Sequence, residues 1–105
     1  MTTWYWIDED HRTYPLAPGE YPGKNEANRH LWRVGLDEVD NYRVSTVFLC
    51  LDHNFSKTGP PIMFETMIFL KDSWSEVYCK RYASWGAADL GHKLVVQKLE
   101  SGVLP

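Results

Sequence analysis

The chain has 105 residues, of which 44% are hydrophobic, 14% aromatic and 24% charged, and its formal net charge is -3. These totals are typical of one folded, soluble domain over residues 1–105 and exclude a generally disordered chain. The negative charge and the lack of any Lys/Arg cluster exclude a dedicated duplex nucleic-acid binder. The longest apolar run, residues 44–51, is far shorter than the roughly 20 residues of a membrane helix.

The N-terminal third is rich in aromatic residues and proline. Its first segment, "TWYWID" at residues 3–8, predicts a short strand. Residues 13–30, "TYPLAPGEYPGKNEANRH", show no period of 2 or 3.6 and predict an irregular, proline-rich surface segment. Irregular segments longer than about 12 residues are often functional in compact domains, so this one is a candidate binding element.

Two apolar runs occupy the centre of the chain. Residues 43–51 and 61–70 are largely apolar on both faces, which predicts adjacent antiparallel strands in a sheet covered on both sides. Residues 54–60 would join them as a wide hairpin. Before this pair, "HLWRVGL" at 30–36 predicts a short strand, and "DEVDN" at 37–41 predicts an acidic turn.

A strand and a helix follow the central pair. "SEVYCKRY" at residues 75–82 alternates clearly, which predicts a strand nearer the edge of the sheet. The next segment predicts a helix with Ser84 as N-cap and Gly102 at its end. Its apolar stripe consists of Trp85, Ala88, His92, Val95, Val96 and Leu99. The fold class is therefore α+β, a four- to five-stranded, mostly antiparallel sheet with one C-terminal helix packed on a face.

Three blocks of residues 42–95 resemble a known group of proteins. "VSTVFLCLDHNF", "GPPIMFETMIF" and "RYASWGAADLGH" resemble, in order and spacing, a family of small uncharacterised proteins encoded by bacteriophages and prophages. The resemblance implies phage origin and action in the cytoplasm of an infected bacterium, and it implies no particular activity. In that family the position of Cys50 is more often Gly. The N-terminus lacks the pattern of a secretory signal, and Cys50 and Cys79 are expected to be free thiols.

Four ionisable residues form a candidate catalytic set. Asp52 and His53 end the first central run, Glu65 lies within the second, and His92 lies on the helix stripe. If the helix covers the Glu65 face, these residues would converge as a metal site of two His and one carboxylate, or as an oriented general base. The alternative is a set of structural polar pairs and turn residues. The lack of a nucleophile or further ligand favours this structural interpretation.

Two further groups are candidate binding residues. Arg81 precedes the helix and would help its first turn to hold a phosphate, unless it pairs with Asp89 or Glu65. Aromatic side chains of the N-terminal third, which suit base stacking or protein contacts, make up the second group. They are Trp4, Trp6, Tyr14, Tyr21 and Trp32.

The sequence favours a non-enzymatic accessory protein that inhibits a host defence component. Surface complementarity is enough for that function, and it leaves no sequence motif. The expected partner is a host bacterial protein, with no cofactor and no bound metal, and both a homodimer and a nucleotide ligand stay open. The alternative is a small nucleotide-binding protein or a metal-dependent hydrolase that uses Asp52, His53, Glu65 and His92.

Overall fold

The computed structural model describes residues 3–23, 29–56 and 58–105. Within them the chain forms six strands and two helices. In chain order these are β1 (Tyr5–Ile7), β2 (Thr13–Pro15), α1 (Arg29–Trp32), β3 (Arg33–Val39), β4 (Tyr42–Phe48), β5 (Phe64–Leu70), β6 (Glu76–Tyr82) and α2 (Trp85–Glu100). Neither helix is long and apolar enough to cross a membrane.

The strands form two antiparallel sheets. β1 and β2 form a small hairpin, and the other four strands form one sheet in the order β3-β4-β5-β6. The central apolar runs are neighbours as predicted, with Thr46 directly opposite Thr66. α2 lies across one face of the larger sheet, so the predicted α+β class with a C-terminal helix is confirmed.

Both ends of α2 follow from local sequence. The hydroxyl oxygen of Ser84 accepts the N–H of Ala87 at 3.1 Å, which caps the first turn. At the other end Gly102 has a φ of 84°, and the N–H of Val103 returns to the carbonyl of Lys98 at 3.0 Å. This is the left-handed termination that glycine favours. The predicted N-cap and stop are therefore confirmed.

The core lies between α2 and the sheet. One cluster of buried side chains consists of Ile7, Leu31, Phe48, Met63, Phe64, Tyr82 and Ala88. A second cluster consists of Val44, Ile68, Val95 and Leu99. β4, β5 and α2 contribute to both clusters, while β1 and α1 close the first through Ile7 and Leu31.

The prediction that the sheet is covered on both sides is wrong. α2 covers the face that carries Val44 and Ile68, whereas Val47 and Met67 on the opposite face are only half-buried and Leu36 is 43% exposed. The described residues form one long helix, and one helix can shield only one face. We call the opposite surface the open face.

The segment before β4 also differs from its prediction. Residues 29–32 form one helical turn, and the predicted acidic turn shrinks to Asp40 and Asn41 because Val39 already pairs with Tyr42. Asp40 adopts a φ of 52°, a left-handed conformation that Asp tolerates better than most residues. Within the proline-rich segment, β2 is a strand that the sequence did not predict. Residues 24–28 of that segment lie outside the described residues.

Candidate functional site

Asp52 holds the two ends of the loop between β4 and β5 together. Its Oδ1 accepts the N–H of Asn54 at 2.7 Å and the N–H of Ile62 at 2.9 Å. The Asn54 amide donates to the carbonyls of Thr58 and Pro60 across the same loop. These contacts are ordinary turn chemistry, and they occupy the carboxylate that the catalytic hypothesis requires.

His53 turns back onto its own backbone. Its Nδ1–H donates to the carbonyl of Leu51 at 2.9 Å, and its ring lies 6.0 Å from that of Phe55. No hydrogen bond joins it to Glu65 or His92 within the described chain. His53 therefore stabilises the mouth of the loop.

Glu65 lies on the open face and pairs with Arg81. Its side chain is only 10% exposed, and Oε2 accepts the Nε–H of Arg81 at 2.8 Å from the directly opposite position on β6. This hydrogen bond is the main reason that the pKa of Arg81 is raised. The predicted alternative of an ion pair is confirmed, and Arg81 is already engaged rather than directed at a phosphate.

The thiol of Cys79 lies next to this ion pair. Burial is the largest cause of its raised pKa, and the negative charge and hydrogen bond of Glu65 raise it further, while Arg81 acts in the opposite direction. A raised pKa leaves less thiolate at neutral pH, and the thiolate is the reactive form. Cys79 should therefore react more slowly at neutral pH than an ordinary cysteine, and neither Cys79 nor Cys50 is in a disulfide.

His92 is the centre of a buried hydrogen-bond network. Its Nε2 lies 2.7 Å from Asp37 Oδ2, and its Nδ1 lies 2.7 Å from Thr46 Oγ1. Thr46 Oγ1 in turn lies 2.6 Å from Thr66 Oγ1. One neutral tautomer satisfies the chain of contacts: Nε2–H donates to Asp37, and Nδ1 accepts from Thr46, which accepts from Thr66. This network joins α2 to β3, β4 and β5.

Gly35 makes room for the imidazole. A Cβ at this position would lie 2.7 Å from His92 Nε2, closer than real contacts allow. Asp37 is not among the residues predicted for a site, because the sequence predicted a turn at this position. Gly35 and Asp37 are two positions apart, so in a strand both lie on the same face. This alternation could have predicted that Asp37 faces the helix.

The order of hydroxyl, imidazole and carboxylate is that of a catalytic triad, but the site cannot act as one. Thr46 is fully buried, with a relative exposure of 0%, beneath α2. A nucleophile must reach the carbon that it attacks, and no substrate reaches this hydroxyl in the folded chain. The network is therefore a structural one that satisfies buried polar groups.

The four candidate catalytic residues do not form a site. Glu65 lies on the open face, His92 lies under α2, and Asp52 and His53 belong to the loop. The expected convergence required α2 to cover the Glu65 face, but Phe64, Thr66 and Ile68 occupy the covered face instead. Among the described ranges, no three His, Cys, Asp or Glu side chains are arranged to hold a metal ion.

The N-terminal aromatic residues, in contrast, come together. The β1/β2 register places Trp6 directly opposite Tyr14, and strand alternation puts Trp4 on the same face. The ring of Trp4 meets Tyr21 edge-on, with centroids 5.3 Å apart. Tyr21 is 72% exposed and Tyr14 is 43% exposed. We call Trp4, Trp6, Tyr14 and Tyr21 the aromatic patch.

Trp32 belongs to another part of the surface. Its ring packs edge-on against Phe48 at the border of the first core cluster. Beside it opens a cavity of about 450 Å³ that Arg29 and Arg33 also line, and a second cavity of about 530 Å³ lies on the other side of these two arginines. Neither arginine was predicted from the sequence, because Arg29 lies at the end of the irregular segment and Arg33 begins a strand, so no period relates the two.

Comparison with protein-family models, with curated proteins and with solved structures finds no match to this chain.

Proposed function

We propose that this chain is a non-enzymatic binding protein that contacts a host bacterial protein through the aromatic patch. We further propose that it is encoded by a phage, acts in the cytoplasm of the infected bacterium and inhibits a component of host defence. The observation that carries the binding function is the aromatic patch itself: Trp6 lies opposite Tyr14 on the hairpin, Trp4 contacts Tyr21 edge-on, and the two tyrosines are exposed while Trp4 and Trp6 are half-buried beneath them. The sequence resemblance supports the phage origin, and the defence target is inferred because an inhibitor needs only surface complementarity.

Contiguous exposed aromatic rings commonly mark an interaction site. Tyr and Trp contribute large apolar areas with few rotatable bonds, and they are enriched among the residues that dominate binding free energy at interfaces. Tyr21 is 72% exposed, and its described ring contact is the one with Trp4. A partner that covered Tyr14 and Tyr21 would bury this area.

The polar residues that suggested an enzyme have structural roles. Asp52 closes a loop, Glu65 pairs with Arg81, and His92 holds α2 on the sheet. A binding function leaves these contacts intact, whereas hydrolysis would require at least one of them to be given up. The structural roles of these three residues therefore support a binding function over a metal-dependent hydrolase.

The test is affinity capture from a lysate of the host bacterium, with the bound proteins quantified by mass spectrometry. The double variant Tyr14→Ser/Tyr21→Ser should lose the specifically captured protein while keeping the wild-type melting curve. Phe55→Ser is the matched control, because Phe55 is 84% exposed and lies outside the aromatic patch. Equal capture by the wild type and the double variant would contradict the proposal.

A second candidate function is binding of a nucleotide. The cavity of about 450 Å³ beside α1 is large enough for a small ligand, and it combines Arg29 and Arg33 with Trp32. Arginine recognises phosphate and an indole ring stacks on bases, so the lining suits this ligand class. Titration with AMP and GMP, followed by NMR, should shift the Trp32 indole signal, and Arg33→Ala should remove the shift. Unchanged spectra would reject this candidate.

A further inference from the structure

The larger sheet ends in an open strand. β6 (Glu76–Tyr82) pairs with β5 on one side, and no other strand of the described chain pairs with its outer side. The pairing shifts register between Ile68 and Phe69, so the regular part of this edge is residues 78–82. An open edge presents unpaired backbone N–H and C=O groups, which can pair with an extended segment of another molecule.

The hydrogen bonds of β5 show which backbone groups of β6 face outward. The N–H of Lys71, next to β5, donates to the carbonyl of Asn41 on the β4 side at 3.0 Å, and successive residues of a strand turn these groups to opposite sides. On β5 the even-numbered residues therefore turn towards β6, where their partners are the even-numbered residues of 78–82. The N–H groups of Cys79 and Arg81 consequently face outward, where another strand can accept them.

A shallow groove lies between this edge and α2. Its lining includes Tyr78, Lys80 and Tyr82 from β6 and Gly91, Leu94 and Lys98 from α2. The volume of the groove is about 160 Å³, below the roughly 300 to 1,000 Å³ of pockets that enclose a small-molecule ligand. Leu94 is 51% exposed and provides apolar surface. The groove therefore suits individual side chains of a bound peptide better than a whole cofactor.

The two lysines make the groove positively charged. Neither Lys80 nor Lys98 forms an ion pair with another described residue, and the recorded contact of Lys80 is with the ring of Tyr82 at 5.7 Å. Both lysines are exposed, and among the described residues no Asp or Glu side chain lines the groove. The groove is therefore complementary to a segment that carries acidic and apolar side chains together.

We propose that the edge of β6 binds an extended acidic segment of a partner protein, which adds to the larger sheet as a fifth strand. The backbone of the segment pairs with Cys79 and Arg81. Alternate residues of an added strand lie on the same face of the sheet, so one set enters the groove on the α2 side. In this set an acidic residue lies opposite Lys80, and an apolar residue two positions away packs against Leu94. Opposite charges on neighbouring strands stabilise their pairing.

A second copy of this chain fits the same edge less well. The side chains of β6 on the α2 side are Tyr78, Lys80 and Tyr82, since their partners on β5 lie on the face that α2 covers. Antiparallel pairing of β6 with itself would place the lysines of both copies on that one face without an acidic residue between them. Like charges on neighbouring strands oppose pairing. The charge of the groove therefore favours a different, acidic partner.

Selection from a library of random peptides, with the full wild-type chain as the target, tests this proposal. The enriched peptides should carry an acidic and an apolar residue two positions apart. Their affinity should fall about tenfold or more for Lys80→Glu/Lys98→Glu, because two attractions become repulsions. Lys93→Glu is the matched control, since Lys93 lies on the opposite flank of α2, where it pairs with Asp89. This variant should bind the peptides like the wild type.

Hydrogen exchange on the wild type provides a second measurement that needs no variant. A bound peptide should slow exchange at the outward-facing amides of Cys79 and Arg81, and unchanged exchange at both would overturn strand addition. Tyr14→Ser/Tyr21→Ser should bind the selected peptides like the wild type, which separates the groove from the aromatic patch.

Three further results would each overturn the proposal. A selection without enriched acidic peptides would mean that Lys80 only protects the edge from pairing. Equal peptide affinity of the wild type and Lys80→Glu/Lys98→Glu would place the binding site elsewhere. A wild type that reaches twice its mass of 12.2 kDa in light scattering without peptide, and slows exchange at Cys79 and Arg81 on doing so, would assign the edge to a second copy.

Discussion

A buried histidine is stable only if its ring nitrogens find partners, and His92 finds two. We predict that Thr46→Val, which removes the hydroxyl next to Nδ1 while keeping the shape, lowers the free energy of unfolding by about 1 to 3 kcal/mol, because a buried acceptor loses its donor. Urea unfolding followed by circular dichroism measures this effect. Thr58→Val, at an exposed threonine, is the control and should change little. Equal stability of the two variants would show that the network contributes nothing.

Cys50 has a backbone conformation that suits glycine. Its φ is 58°, in the left-handed region, which costs an L-residue roughly 1 to 2 kcal/mol. Cys50→Gly and Cys50→Ala lose the same sulfur atom, so comparing them isolates the backbone. We expect the Gly variant to be the more stable by about 1 kcal/mol.

The control for Cys50 is Cys79, which lies within β6 and is not among the residues of positive φ. There Ala should be more stable than Gly, because Gly in a strand interior costs about 0.5 to 1 kcal/mol. Four thermal melts give both comparisons. If Ala is the more stable residue at both positions, the left-handed conformation of Cys50 has no energetic consequence.

The Cys79 thiol provides a prediction about pH. Because burial and Glu65 raise its pKa, its reaction with iodoacetamide should become fast only at a higher pH than that of an ordinary cysteine. Glu65→Gln removes the negative charge and leaves Arg81 in place, so the pKa should fall and alkylation at pH 8 should become faster. Rates are measured in a Cys50→Gly background, which leaves one thiol. A slower reaction of the Gln variant would reverse the assigned role of Glu65.

At the scale of elements, the loop after β4 depends on one carboxylate. Asp52→Ala should free the N–H groups of Asn54 and Ile62 and cost about 1 to 2 kcal/mol, since each bond to a charged acceptor is worth somewhat more than a neutral one. His53→Ala removes one hydrogen bond to the nearby Leu51 carbonyl and a ring contact with the exposed Phe55, and it should cost less. Hydrogen exchange at the Ile62 amide separates the two variants: it should accelerate in Asp52→Ala and stay slow in His53→Ala.

Periodicity explains which elements the sequence could predict. α2 is long enough for a 3.6-residue period, and it has a capping Ser84 and a terminating Gly102, so its position and buried stripe were predictable. α1 has four residues, too few for any period, and β2 lies among prolines. The side of the sheet that α2 covers was not predictable, because both faces of β4 are largely apolar.

The uncertainty about which face α2 covers also decides which candidate sites the sequence could predict. The aromatic patch was predictable because composition alone marks the N-terminal third, and the β1/β2 register then aligns Trp6 with Tyr14. The catalytic set depended on which face α2 covers, so its members were separated once that face was known. The partner of His92 is Asp37, which is distant in sequence, and only the pairing of β3 with β4 brings the two together.

At the scale of the whole molecule, one face of the sheet carries the core and the other carries charge. On the open face Arg43 pairs with Glu38 at 2.9 Å and lies 4.4 Å from the ring centre of Trp74. Lys71 also contacts Glu38, and the hydrogen bonds from these two cations lower the pKa of that carboxyl. Glu38 is exposed, so these contacts keep the open face polar and contribute little to stability. The stability of the fold therefore depends on the α2 side.

The two core clusters should unfold as one unit, because α2 contributes Ala88 to the first and Val95 and Leu99 to the second. Leu99→Ala, in the second cluster, should cost about 2 to 5 kcal/mol, a large part of the 5 to 15 kcal/mol typical of a domain. Tryptophan fluorescence reports on the first cluster, where Trp6, Trp32 and Trp85 pack, while circular dichroism reports on α2. We expect both signals to shift to the same lower denaturant midpoint in Leu99→Ala. A dichroism transition that moves while the fluorescence transition stays would show that residues 1–105 contain two independent units, since a single cooperative domain gives coincident transitions.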